Sequence, residues 1–210
     1  MILENQKNIE EVSDVVIVNL LNKIKTYTIK YNININMLLI NIAISYMKKY
    51  HKDQKRHSGV PYYYHPVNVA LIVIDYFFDT AIIIAALLHD IVEDTNFSLN
   101  QINFLFGKEV ALLVDRLTKI DTNTTMKFKL SDEESSYKLI HLDDNDKKVF
   151  AIKLSDRLDN MRTIQHIKSI EKQKKIALET IQVFIPMARY IGLKKIELEL
   201  QTLAIVTLNK

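Results

Sequence analysis

The sequence predicts an all-α fold built around a single buried metal site, and three observations carry that expectation. Hydrophobic residues make up 48% of the chain while Gly and Pro number only 3 each, a composition suited to helices joined by short polar turns. Apolar residues recur at three- and four-residue intervals through most of the chain. The most apolar stretch, Ala81 to Leu88, runs directly into His89, Asp90, Glu93 and Asp94. Placing an imidazole and carboxylates at the end of a buried helix demands partners, and a divalent cation satisfies adjacent His and Asp at once.

The elements follow in order. Val16, Leu20, Ile24 and Tyr27 predict an amphipathic helix over Val15 to Tyr31, with residues 1–23 a helical extension of one domain spanning 1–210. Asn32 to Asn36 supplies turn residues and a cap, and Met37 to Tyr50 resumes the helical period. His51 to Pro66 then reads as a loop that gathers cations, aromatics and the Gly59/Pro61 turn pair. Pro66 suits the first turn of the next helix and so puts His65 at a helix N-terminus. That helix is expected over Val67 to Phe78, after which Asp79 caps one continuing to the end of the His-Asp stretch, at Thr95. Helical spacing would stack His89 over Glu93 and Asp90 over Asp94.

Ser98 and Gln101 form a capping box for a short helix ending near Gly107, and Lys108 to Ile120 forms the next. Asp121 to Lys129 has linker composition and is expected to be mobile; Glu133 to Leu142 is a modest helix. Asp143 to Asp146 caps a long helix containing Val149 to Thr163. On it Lys153, Asp156, Asn160 and Thr163 fall at spacings of three, four and three, on one face, with dense apolar neighbours. An ordinary solvent face is the commoner explanation of such a row; enclosure would make Asp156 a metal ligand, with Asn160 and Thr163 reaching toward a substrate. Lys168 to Tyr190 and Lys194 to Leu208 close the chain, with Pro186 kinking or breaking the first and Gly192 turning between them.

Composition also excludes. There is no Cys, so thiolate metal sites and disulfides are ruled out and any metal needs nitrogen and oxygen ligands. The N-terminus lacks secretory-signal organisation, and no apolar run approaches the roughly 20 residues that cross a bilayer. A soluble, cytoplasmic protein with no membrane partner is expected. A formal charge of +3 is too small to argue for nucleic acid.

The motifs themselves carry a resemblance. His65, His89-Asp90 and Asp156 form the H…HD…D pattern of HD-domain phosphohydrolases. The strings Arg56-His57-Ser58-Gly59-Val60-Pro61-Tyr62 through His65-Pro66, Ala85 to Thr95, Thr118-Lys119 and Ile152 to Thr163 resemble the hydrolase domain of RelA/SpoT homologues, from about Ile24 onward. The resemblance implies an HD-domain helical bundle of the stand-alone small alarmone hydrolase type, without synthetase activity. It implies Mn2+ bound by His65, His89, Asp90 and Asp156, water oriented and deprotonated by Glu93 and Asp94, and nucleotide contacts from Arg56, Ser58, Asn160 and Thr163. The implied reaction removes pyrophosphate from the 3′ position of (p)ppGpp, leaving GDP or GTP. His57, Val60 and Asp159 depart from the family's usual Lys, Glu and His without removing a ligand. The residues leave open another phosphorylated nucleotide, such as NADPH, as substrate. They also leave open a non-catalytic alarmone-binding module, against which the intact Glu93-Asp94 pair argues. Oligomeric state is not set.

Overall fold

The run Ala81 to Leu88 is buried as a helix among other helices, and every regular element of the computed structural model is helical within the residues it describes, 2–127 and 143–210, with side chains described for 15–119 and 143–210. No strand and no helix long and apolar enough to cross a membrane occur among them. The chain divides into two compact units, Met1–Ala111 and Leu112–Lys210.

The first unit holds α1 (Ile2–Tyr31), α2 (Met37–Tyr50), α3 (Tyr64–Val73), α4 (Thr80–Leu87), α5 (Ile91–Asp94), α6 (Leu99–Phe106) and the start of α7 (Lys108–Lys127). Asn36 and Asp79 cap α2 and α4 as expected, accepting from the backbone N–H of Leu39 and Ile82. Helix α3 packs on α1 and α4, and α4 also packs on α2. Ile82, Ile83, Ile84 and Leu87 of α4 are fully buried, as are Leu20 and Ile24 of α1 and Ile40 and Met47 of α2, each worth about 1.5–3 kcal/mol of apolar burial. The Lys23 ammonium ties α1 to the end of α3 by donating to the Leu71 carbonyl and pairing with Asp75, both at 2.8 Å. Ser98 and Gln101 close the predicted capping box of α6, and Gly107 ends that helix at a φ of 90°, in the left-handed region.

The second unit holds α8 (Asp144–Arg162), a 3₁₀ turn (Ile164–His166), α9 (Ile170–Glu179), a π turn (Thr180–Phe184), α10 (Ile185–Tyr190) and α11 (Lys194–Leu208). Asp143 and Asp146 form the capping box of α8. Helix α11 packs on α8, α9 and α10. Gly192 adopts the turn expected of it, at a φ of 78°. Pro186 offers no N–H to the preceding turn and its ring crowds the carbonyl four residues back. The chain answers by widening into the π turn, in which the Ile185 N–H reaches the Thr180 carbonyl.

Several boundaries differ from the sequence reading. Helix α3 stops at Val73 rather than Phe78, and the long C-terminal helix begins only at Ile170, capped by Ser169. Helix α7 runs through to Lys127, so most of the expected 121–129 linker is helical. Asp, Thr and Asn there are weak helix formers, but none blocks the helix as Pro does. The helix expected over Glu133 to Leu142 lies outside the described residues.

Candidate metal centre

The His-Asp pair does not ride on a helix. Helix α4 ends at Leu87, Leu88 to Asp90 form a turn, and Ile91 starts a new four-residue helix. The cause is local: His89 Nδ1 lies 2.9 Å from the Ala86 carbonyl, the group a continuing helix would give to the Asp90 N–H. The single continuous helix expected to carry His89, Asp90, Glu93 and Asp94 is therefore interrupted. Instead Asp90 caps the short helix, its carbonyl accepting from the N–H groups of Glu93 (3.2 Å) and Asp94 (2.9 Å).

Because a carbonyl can only accept, the Ala86 contact puts a proton on His89 Nδ1, so that Nε2 carries the lone pair whenever the ring is neutral. That Nε2 lies 3.1 Å from Asp90 Oδ2, and His65 Nε2 lies 3.7 Å from the same oxygen. The two imidazoles meet edge to face with centroids 5.2 Å apart, and both are buried, His65 at 2% and His89 at 4% exposure. A neutral imidazole nitrogen and a carboxylate oxygen at 3.1 Å are two acceptors facing each other, an arrangement that calls for a cation or a proton between them. A backbone carbonyl fixing the far nitrogen is also how a ligating His is normally oriented. The donor set thus fits a divalent ion of borderline or hard character. The side chains with the chemistry to hold one are His65 and His89 in the first unit, whose nitrogens come within 4.8 Å, and Asp156 in the second.

Around these groups the first unit places Glu93 and Asp94 as exposed carboxylates on α5, one turn beyond Asp90. The stretch carrying Arg56 and Ser58 is a tight hairpin. Arg56 N–H donates to the Val60 carbonyl and Gly59 N–H to the Arg56 carbonyl, each at 2.9 Å, with Gly59 at a φ of 88°. Arg56 is half-buried and Ser58 exposed. In the second unit Lys153, Asp156 and Asn160 share one face of α8 as their spacing predicts. Lys153 Nζ is 3.5 Å from Asp156 Oδ2, and Asn160 Nδ2 donates to Asp156 Oδ1 at 2.6 Å. Thr163 lies just past the helix as its C-cap, its hydroxyl donating back to the Asp159 carbonyl at 3.0 Å. Asp159, one of the departures, is buried at 4% exposure.

Sequence reasoning missed Tyr62, His51 and Gln54. The Tyr62 hydroxyl donates to Asp90 Oδ2 at 2.6 Å, and its ring stacks on His51 at 4.9 Å. Burial above all, then the charge and hydrogen bond of Asp90 and the presence of Asp94, push the phenol far above its ordinary range, so it is a proton donor at any working pH. His51 is 1% exposed, and burial pulls its imidazole below the ordinary value. The only sequence signal was proximity: Tyr62 sits three residues before His65.

Helices that bring an imidazole pair onto an aspartate define a class, and the chain belongs to the HD-domain family, whose model matches residues 43–194 and so spans parts of both units. Within that class its similarity is to RelA/SpoT-type proteins. It is 38% identical over 180 residues to the GTP pyrophosphokinase rsh of Brucella melitensis, covering 86% of this chain and 24% of that one. It is 43% identical over 162 residues to the guanosine-3′,5′-bis(diphosphate) 3′-pyrophosphohydrolase of Aquifex aeolicus, covering 77% and 23%. The chain thus spans about a quarter of the length of these curated relatives. Among solved structures, a metazoan ortholog of SpoT that hydrolyzes ppGpp matches with a TM-score of 0.61 and 28% identity, over 79% of this chain and 93% of that one.

Proposed function

We propose that this chain is a manganese-dependent hydrolase that removes the 3′-diphosphate of (p)ppGpp, giving GDP or GTP and pyrophosphate, and that it works as a single HD-type domain in the cytoplasm. The observation that carries the proposal is the convergence of His65 Nε2 and His89 Nε2 on one oxygen of Asp90, at 3.7 and 3.1 Å. The Aquifex pyrophosphohydrolase and the ppGpp-hydrolyzing SpoT ortholog supply the substrate.

In this reading His65, His89, Asp90 and Asp156 hold Mn2+. Bound there, the ion supplies Lewis acidity toward water and neutralises phosphate charge. The chain's own residues do the rest. His89 is held in the ligating tautomer by the Ala86 carbonyl, and Asp156 is oriented by Lys153 and Asn160. Glu93 or Asp94 takes a proton from water as its oxygen bonds to the phosphorus attached to the 3′ oxygen. The 3′ oxygen–phosphorus bond breaks, and that oxygen receives the proton back. Arg56 and Ser58 on the hairpin, with Asn160 and Thr163, contact the nucleotide. His57, Val60 and Asp159 leave the ligand set intact, so activity survives them.

The test is turnover of ppGpp, pppGpp and NADPH by the metal-stripped protein with and without added Mn2+. Pyrophosphate and GDP released from ppGpp only when Mn2+ is present is the expected result. Preferential turnover of NADPH would transfer the site to another nucleotide. Tight ppGpp binding with no hydrolysis would make the chain a binding module.

A further inference from the structure

The hydroxyl of Tyr62 meets the same Asp90 oxygen that faces both imidazoles, and both its backbone and its ring are held by the segment His51 to Gln54. The Tyr62 N–H donates to the Gln54 carbonyl at 3.0 Å, the Gln54 N–H donates to the His51 carbonyl at 3.0 Å, and the His51 ring stacks on Tyr62 at 4.9 Å. The side chains continue the network. His51 Nδ1 lies 2.7 Å from Gln54 Oε1, and Gln54 Nε2 donates to the Asp94 carbonyl at 3.0 Å. With the Gln54 amide nitrogen spent on Asp94, its oxygen must accept, so His51 donates from Nδ1.

We propose that Tyr62 is a positioning residue: backed by His51 and Gln54, it fixes the Asp90 carboxylate in the orientation that completes the metal centre. The inference rests on the metal reading given above and adds to it a group outside the ligand set. An aspartate side chain in a turn, only one residue from its neighbouring ligand His89, has rotamer freedom that the backbone alone does not remove. A 2.6 Å hydrogen bond from a neutral phenol to a carboxylate is of the short, charge-assisted kind and selects one rotamer. The same network ties the Asp94 carbonyl, at the end of α5, to the loop carrying Tyr62. Asp90 and the end of α5 are thereby set by one scaffold.

Partners that orient ligating carboxylates and histidines in this way are worth about 10–100-fold in metal affinity. The experiment titrates Mn2+ into the metal-stripped full chain, following loss of the free-ion electron paramagnetic resonance signal, for wild type, Tyr62→Phe and Tyr63→Phe. Tyr62→Phe keeps the ring on His51 and deletes only the hydroxyl. Tyr63 stacks on Tyr64 at 5.8 Å and serves as the neighbouring control. The expected result is a Kd for Mn2+ raised about 10–100-fold by Tyr62→Phe, unchanged by Tyr63→Phe, with turnover of Tyr62→Phe recovered at saturating Mn2+.

An unchanged Kd in Tyr62→Phe overturns the inference while leaving the metal centre standing. So does lost turnover that saturating Mn2+ fails to restore, which would put the hydroxyl on the substrate. Wild type that takes up no Mn2+ removes both this inference and the metal reading. A weakened Mn2+ site in a protein inert toward ppGpp upholds the inference and removes only the substrate assignment.

Discussion

Exchanging Asp90 for Asn and, separately, Glu93 for Gln tests whether these two acidic groups, three residues apart, have different work. Asp90 is only 21% exposed and its Oδ2 lies within 3.1–3.7 Å of both imidazole nitrogens, so its charge acts in a poorly solvated setting. At the effective dielectric of such places, two unit charges about 4 Å apart interact by roughly 4 kcal/mol. Losing that much against a bound cation, at 1.4 kcal/mol per decade, predicts a fall in Mn2+ affinity of about 1,000-fold or more for Asp90→Asn. Glu93 is exposed on α5, where water screens its charge, and Glu93→Gln should change Mn2+ affinity less than about tenfold. Its turnover should drop about 10²–10⁴-fold, the usual worth of a general base. Isothermal titration with Mn2+ reads the first quantity and pyrophosphate release at saturating Mn2+ the second. Equal loss of metal in both variants would show that the ligand and proton-acceptor roles are wrongly divided.

Other expectations concern the buried His51, the hairpin and a helix cap. His51 folds in its neutral form because burial pulls its pKa below the ordinary 6.5. Below that pH the unfolded chain takes up a proton that the fold resists, so its contribution is fully present above about 6.5 and lost as the pH falls. Melting temperature should therefore decline from pH 6.5 to 5 more steeply in wild type than in His51→Gln; parallel slopes would remove His51 from the cause. Gly59→Ala meets no neighbouring atom but must adopt a φ of 88°, costing about 1–2 kcal/mol of strain. It should lower the urea midpoint and raise KM for ppGpp with kcat unchanged; an unaltered KM would take the Arg56–Ser58 hairpin off the substrate. Ser98→Ala, which breaks the α6 capping box, should cost about 1 kcal/mol and lower Tm by about 2–4 °C, with activity intact.

The helical class, the caps at Asn36, Asp79, Ser98 and Asp143, and the candidate ligands were legible in the sequence because each rests on local chemistry. Periodicity, capping oxygens and an expensive His-Asp pair after an aliphatic run are properties of neighbours in the chain. The row Lys153, Asp156 and Asn160 was legible for the same reason, since helical spacing alone brings Lys153 and Asn160 onto the Asp156 carboxylate. Tertiary structure decided what depends on geometry. It brought His65, on α3, and His89, in the turn after α4, onto one Asp90 oxygen. It also brought Tyr62 from the preceding loop, 28 residues away, onto that oxygen. No periodicity announces such a contact, because a hydrogen bond between distant segments is fixed by how helices pack, and packing is a property of the whole unit rather than of any stretch within it.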